Sequence, residues 1–204
     1  MIPAASVEPR VAALLLAGGR SIRMGRDKAM LDWQGQPLWR HQVEKLISLK
    51  PQRLVIACRQ EQLLHDQPGL PSCLEWCFDP PGQDLGPLGA IQRVLAGASE
   101  PCWVVAVDLP HLQLAQLQML AQSALRSGQA CFFRTSHGLE PLAALYHPSL
   151  LPFVERSIAQ GQLAVKGVAH AAIEAGLAQL VVLPPDLDPS FHNMNRPEDY
   201  PAFE

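Results

Sequence analysis

The residues that could do chemistry in this 204-residue chain fall into four short stretches. The richest is LLLAGGRSIRMGRDKAML, residues 14–31, where an apolar run stops at Gly18-Gly19 and is followed by Arg23, Arg26, Asp27 and Lys28. Paired glycines permit positive φ and close backbone approach, so that successive N–H groups can line a concavity for phosphate oxygens. An Arg fork meets two phosphate oxygens at once, and Lys supplies a point charge. Together these suit a nucleoside triphosphate. There is no G-K-[ST] and no G-x-G-x-x-G, so this is neither a P-loop nor the dinucleotide fingerprint.

The second stretch, VVAVDLPHL, sets Asp108 directly behind an apolar run. Such an Asp can cap the following helix, or it can hold magnesium, which takes hard oxygen ligands from one or two carboxylates, phosphates and water. The third, CFDPPGQDLGPLGAI, carries Asp79, Asp84 and a Gly86–Gly89 helix start whose free N–H groups can face an anion. The fourth is NMNRPEDY near the end, with Asn193 and Asn195. No Ser-His or Cys-His pairing stands out, and His41, His65, His111 and His137 read as structural or solvated. Cys58, Cys73, Cys77, Cys102 and Cys131 are odd in number, and three lie in apolar runs. Reduced thiols of a cytoplasmic protein is the reading favoured over a zinc site, because C-L-E-W-C lacks both the tightest spacing and a second ligand pair.

These stretches need positioning elements. The apolar runs 11–16, 53–58, 73–78 and 102–107 read as strands, with further strands at 130–134, 140–146 and 180–183. Helical spacing predicts helices over 37–49, 59–66, 88–98 and 113–126, and a helical region broken near Gly161. Alternation of strand and helix predicts an α/β fold, a three-layer α/β/α arrangement on a mainly parallel central sheet. Three of the four chemical stretches then sit at the carboxyl ends of strands, where such sheets bind ligands. No repeat or linker divides the chain.

Residues 14–31 resemble the signature of the molybdenum cofactor guanylyltransferase family, which opens L-A-G-G, R-M-G and D-K, here Leu16-Ala17-Gly18-Gly19, Arg23-Met24-Gly25 and Asp27-Lys28. Related sugar-nucleotide and isoprenoid-pathway enzymes usually carry Pro before the Lys, and cytidylyltransferase relatives tend to read A-A-G. The resemblance implies one Rossmann-like nucleotidyltransferase domain over 1–204, binding nucleotide through about 11–110 and acceptor through about 111–204. It implies GMP transfer from GTP to molybdenum-molybdopterin, with Mg2+ as cofactor and molybdoenzyme delivery proteins as further partners. Carried over residue by residue, it makes Arg23, Lys28 and Asp108 catalytic. It assigns nucleotide contacts to Leu16, Ala17, Gly18, Gly19, Arg23, Lys28, Asp79, Gly86 and Asp108, and metal contacts to Asp108 and Asn195. Two departures stand out: Arg196 replaces a Thr, and Ile56 stands where some members have an Asn touching guanine. Cytidyl or sugar-phosphate nucleotidyl transfer, and a non-catalytic nucleotide-binding adaptor, remain the alternatives.

Composition agrees with a chain that packs a core. The chain is 48% hydrophobic and 17% charged, and its net charge of −3 offers no global attraction to nucleic acid or acidic membranes. Its longest apolar runs are far too short to span a bilayer, and the N-terminal residues show no signal-peptide pattern, so a cytoplasmic location is expected.

Overall fold

The computed structural model describes residues 10–19, 27–80, 82–194 and 199. Its elements are β1 (Ala12–Leu16), β2 (Asp32–Trp33), β3 (Gln36–Pro37), α1 (Leu38–Ile47), β4 (Leu54–Cys58), β5 (Leu74–Phe78), α2 (Gly86–Ala96), β6 (Cys102–Ala106), α3 (Leu114–Ser127), β7 (Ala130–Thr135), β8 (Gly138–Tyr146), α4 (Leu151–Ala159), α5 (Val165–Glu174) and β9 (Ala178–Val182). Seven strands form the central sheet in the order β5-β4-β1-β6-β8-β7-β9. The β1/β4, β4/β5, β1/β6 and β7/β9 pairs are parallel; β8 runs antiparallel to both β6 and β7. The α/β class and mainly parallel sheet are as expected.

Period-two alternation builds the layers. In β1, Ala13 and Leu15 join the core shared with α1 and α3, whereas Ala12 and Leu14 join the core shared with α2, α4 and α5. Leu14 and Leu15 are both fully buried, each contributing about 1.5–3 kcal/mol of hydrophobic stabilisation. Hence the central strands read as unbroken apolar runs rather than alternating ones. Chain order turns around at β1: β4 and β5 lie to one side and β6 to the other, so the switch point falls between β1 and β6.

Helix ends follow local chemistry. Pro87 stands in the first turn of α2, and Gly86 before it has φ +54°, a conformation that favours glycine. Gly128 closes α3 in the left-handed region, its N–H donating to the Ala124 carbonyl at 2.7 Å. Two expectations change. Residues 59–66 form not one helix but two 3₁₀ turns, Gln60–Gln62 and Leu64–Asp66, because Leu63 between them is left-handed at φ 51°. The short β2–β3 hairpin was not expected: two-residue strands carry no periodic signal, and its turn residues Gln34 and Gly35 both have positive φ. Among the described residues no helix is long and apolar enough to cross a membrane.

Candidate active site

The carboxyl ends of β1, β4 and β6 enclose a cavity of about 520 Å³. Its apolar floor includes Leu16, Ala57 and Ala106, one from each strand. Short side chains leave the strand ends open, and the polar rim comes from the loops that follow them. Leu16, Ala17, Gly18, Gly19, Lys28, Asp79, Gly86 and Asp108, read from separate stretches of sequence, all line this one cavity. Arg23 and Asn195, expected beside them, lie outside the described residues.

At the centre Lys28 Nζ donates to Asp108 Oδ2 at 3.2 Å across the β1/β6 switch point. Asp108 does not cap α3. Gln113 occupies the cap position, and its N–H donates to Gln116 Oε1 at 2.8 Å. Its carboxylate is thus left facing the cavity. Lys28 begins a 3₁₀ turn (Lys28–Met30) capped by Asp27, whose Oδ1 accepts from the Ala29 N–H at 3.0 Å.

The glycine pair works differently from the expectation of positive φ, since neither Gly18 nor Gly19 adopts it. A Cβ on Gly18 would stand 3.4 Å from Cys58 Cα and 3.5 Å from Asp79 Oδ2, ordinary contact distances. Among the described residues nothing lies within 4 Å of a Cβ placed on Gly19.

Three polar residues were missed by sequence reasoning. Arg59, just beyond β4, donates to the carbonyls of Gly18 (2.8 Å) and Gly19 (2.7 Å) and to Asp27 Oδ2 (3.1 Å). Gln62 donates to the Ala17 carbonyl at 2.9 Å and to Asp27 Oδ2 at 2.7 Å. Together they bind the first loop to the β4 loop. In a trans peptide C=O and N–H point opposite ways, so holding the Gly18 carbonyl turns the Gly19 N–H away from Arg59. Arg93 on α2 donates to Asp79 Oδ1 at 3.3 Å and to Cys77 Sγ at 3.0 Å, fixing the carboxylate of Asp79. Arg59 and Gln62 were legible in principle, since they follow a buried strand as Asp79 and Asp108 do.

Ile56 is fully buried in the core with α1 and α3 and does not line the cavity, so its apolar type carries no information about the base. Burial pushes the Cys58 and Cys102 thiols up to about 12, so neither is poised as a thiolate. No group of three or more His, Cys, Asp or Glu among the described residues could hold a metal. Asp108 offers one hard carboxylate beside the cavity, the kind of donor magnesium combines with phosphates and water.

Comparison with known proteins gives the family. Residues 13–187 match the model of the MobA-like NTP transferase domain. The probable molybdenum cofactor guanylyltransferase of Opitutus terrae is 34% identical, covering 93% of this chain and 92% of its own. The molybdenum cofactor guanylyltransferase of Pseudomonas paraeruginosa is 32% identical over 95% of this chain and 94% of its own. The crystal structure of molybdopterin-guanine dinucleotide biosynthesis protein A from Archaeoglobus fulgidus superposes with a TM-score of 0.72 at 25% identity, covering 92% and 94% of the two chains. With a matched domain and relatives spanning nearly its whole length, the chain belongs to the MobA-like NTP transferase family and is a nucleotidyltransferase.

Proposed function

We propose that the protein transfers GMP from GTP to molybdenum-molybdopterin, forming molybdopterin guanine dinucleotide and releasing pyrophosphate. The reading is supported by relatives named for that activity across nearly the full chain. The observation that carries it here is the Lys28–Asp108 pair at the mouth of a cavity whose rim is the glycine loop. An oxygen of the acceptor's terminal phosphate attacks the α-phosphorus of GTP, and the bond to the pyrophosphate oxygen breaks. The attacking phosphate is already anionic at neutral pH, so the step needs no general base. That suits a described lining without His, Ser or Cys. Catalysis then rests on positioning and charge neutralisation.

The donor set fits magnesium. The described lining carries Glu61, Asp79, Asp84 and Asp108 against Lys28 and Arg59, an excess of negative charge that would repel a triphosphate without a cation. Asp108, with Asn195, would hold the ion, which would offset charge on the α-phosphate and the departing pyrophosphate. Lys28 and Arg23 serve as the protein's own cations toward the phosphates, and the Gly18-Gly19 loop lies along them. Asp79 and Gly86 meet the nucleoside. Residues of about 11–110 bind nucleotide and those of about 111–204 the acceptor. We assign the reaction to the cytoplasm, with molybdoenzyme delivery proteins downstream. The buried thiols of Cys58, Cys102 and Cys131 suit a reducing compartment.

Calorimetry with GTP, CTP and ATP in the presence of magnesium tests the reading, with Lys28→Ala as control. Preference for GTP, lost in the variant, is the expected result. Preference for CTP would keep the chemistry and change the product.

A further inference from the structure

The turn that presents Asp108 is braced from three directions. Its four successive carbonyls, from Val107 to Pro110, each accept a hydrogen bond. Val107 O accepts from Gln42 Nε2 of α1 at 3.2 Å, and Pro110 O from Lys45 Nζ one helical turn further on at 2.7 Å. Asp108 O accepts from the N–H of Met194 at 3.0 Å, and Leu109 O from that of Leu112 at 3.2 Å. The Val107 N–H donates to the carbonyl of Leu16, on the cavity floor, at 3.0 Å.

The two side-chain braces are expensive choices. Gln42 is fully buried, and its Oε1 has no hydrogen-bond partner among the described residues. A bare buried amide oxygen is destabilising, because it has lost its water without gaining a donor. Lys45 has no carboxylate partner among the described residues, and burial lowers its pKa to about 8. An apolar side chain of similar length at either position would remove these costs but would leave the Val107 or the Pro110 carbonyl without its side-chain donor. Their one evident return is the fixed turn.

We infer that Gln42 and Lys45 are positioning residues of the reaction, holding the backbone of Val107–Pro110 so that the Asp108 carboxylate is presented to magnesium and the triphosphate. Neither touches substrate. The inference rests on the reading of Asp108 given above.

The test compares Gln42→Met, Lys45→Met, Lys45→Gln, Lys45→Arg and Asp108→Asn with the wild type in two assays. One is the thermal midpoint at pH 7. The other is the magnesium concentration giving half-maximal GTP binding by calorimetry. Gln42→Met and Lys45→Met are expected to stay folded, since the lost carbonyl donor lowers the midpoint while the removed buried polar group raises it. They should need more magnesium, on the order of tenfold, as a displaced ligand would. Lys45→Arg, which keeps a cationic donor, should recover part of that loss. An unchanged magnesium requirement in the folded Met variants would overturn the inference. Should the Met variants not fold, Lys45→Gln, whose shorter side chain withdraws the donor from the Pro110 carbonyl, decides alone: an unchanged magnesium requirement overturns the inference. An Asp108→Asn protein that keeps the wild-type magnesium dependence would instead overturn the reading of Asp108, and the brace with it.

Discussion

The loop after β1 and the loop after β6 each bring one aspartate to the surroundings of Lys28, and the side chains of Asp27 and Asp108 are equally exposed, at 22%. Their wiring differs. Asp27 accepts from the Ala29 N–H, Arg59 and Gln62, which exhausts most of a carboxylate's acceptor capacity. Asp108 accepts only from Lys28 among the described residues, while its backbone is fixed by α1 and by Met194. One carboxylate is spent on holding a loop; the other is held by its backbone with its oxygens left for a ligand. Exposure alone would not have separated them, whereas the destination of each oxygen does.

Truncating both aspartates is the sharpest test of that difference. Asp108→Ala should cost about 10²–10³ or more in turnover, as removal of other preorganised charges does, with the thermal midpoint little changed. Asp27→Ala should show the reverse balance, losing about 1–3 kcal/mol of stability with its charged hydrogen bonds and much less turnover. Steady-state rates and thermal melts on the two variants decide it. An Asp27→Ala protein that is stable and as inactive as Asp108→Ala would break the comparison.

A second, smaller effect concerns pH. The Lys45 ammonium is disfavoured by burial, so its folded pKa of about 8 lies below its ordinary value of 10.5. Between those two values the unfolded chain binds more protons, so stability should rise with pH across the window, and the cost is present in full below about 8. Facing groups are His41 and Glu44 on its own helix and His111 on the turn; burial and Lys45 lower both imidazoles, and Glu44 opposes the shift at His41. Subtracting the pH–stability curve of Lys45→Met from that of the wild type isolates the amine, and a flat difference would remove the desolvation argument. The smallest effect is expected at Ile56. Ile56→Val should cost about 0.5–1.5 kcal/mol and leave the relative affinities for GTP and CTP unchanged, because the side chain sits under α1 and α3 rather than in the cavity. A changed base preference would return position 56 to the site.

Strand existence was legible because buried parallel strands are short apolar runs closed by Gly, Asp or Arg, as at Leu16, Phe78 and Cys58. Positions close behind them were legible as cavity-facing for the same reason, which is how Asp79 and Asp108 were found without coordinates, whereas Lys28 was found from the charge of the long loop after β1. The left-handed Leu63 and the β2–β3 hairpin escaped because neither carries a periodic signal. The glycine pair was found for an incomplete reason. Neither glycine has positive φ; Gly18 instead lies beside Cys58 and Asp79, where loops from three strands meet.

By itself, then, the sequence determined the class of fold, the strand ends that share one cavity, and the family. Local spacing and hydrophobic period carry that information, since each is set within one strand, one loop or one motif. Tertiary structure alone decided which aspartate holds and which is held. It decided that Arg59 and Gln62 clamp the first loop, and that α1 steadies a turn 65 residues away through Gln42 and Lys45. A hydrogen bond between distant residues leaves no spacing in the chain. It exists only once packing has brought a donor to a particular carbonyl and excluded the water that would otherwise satisfy it.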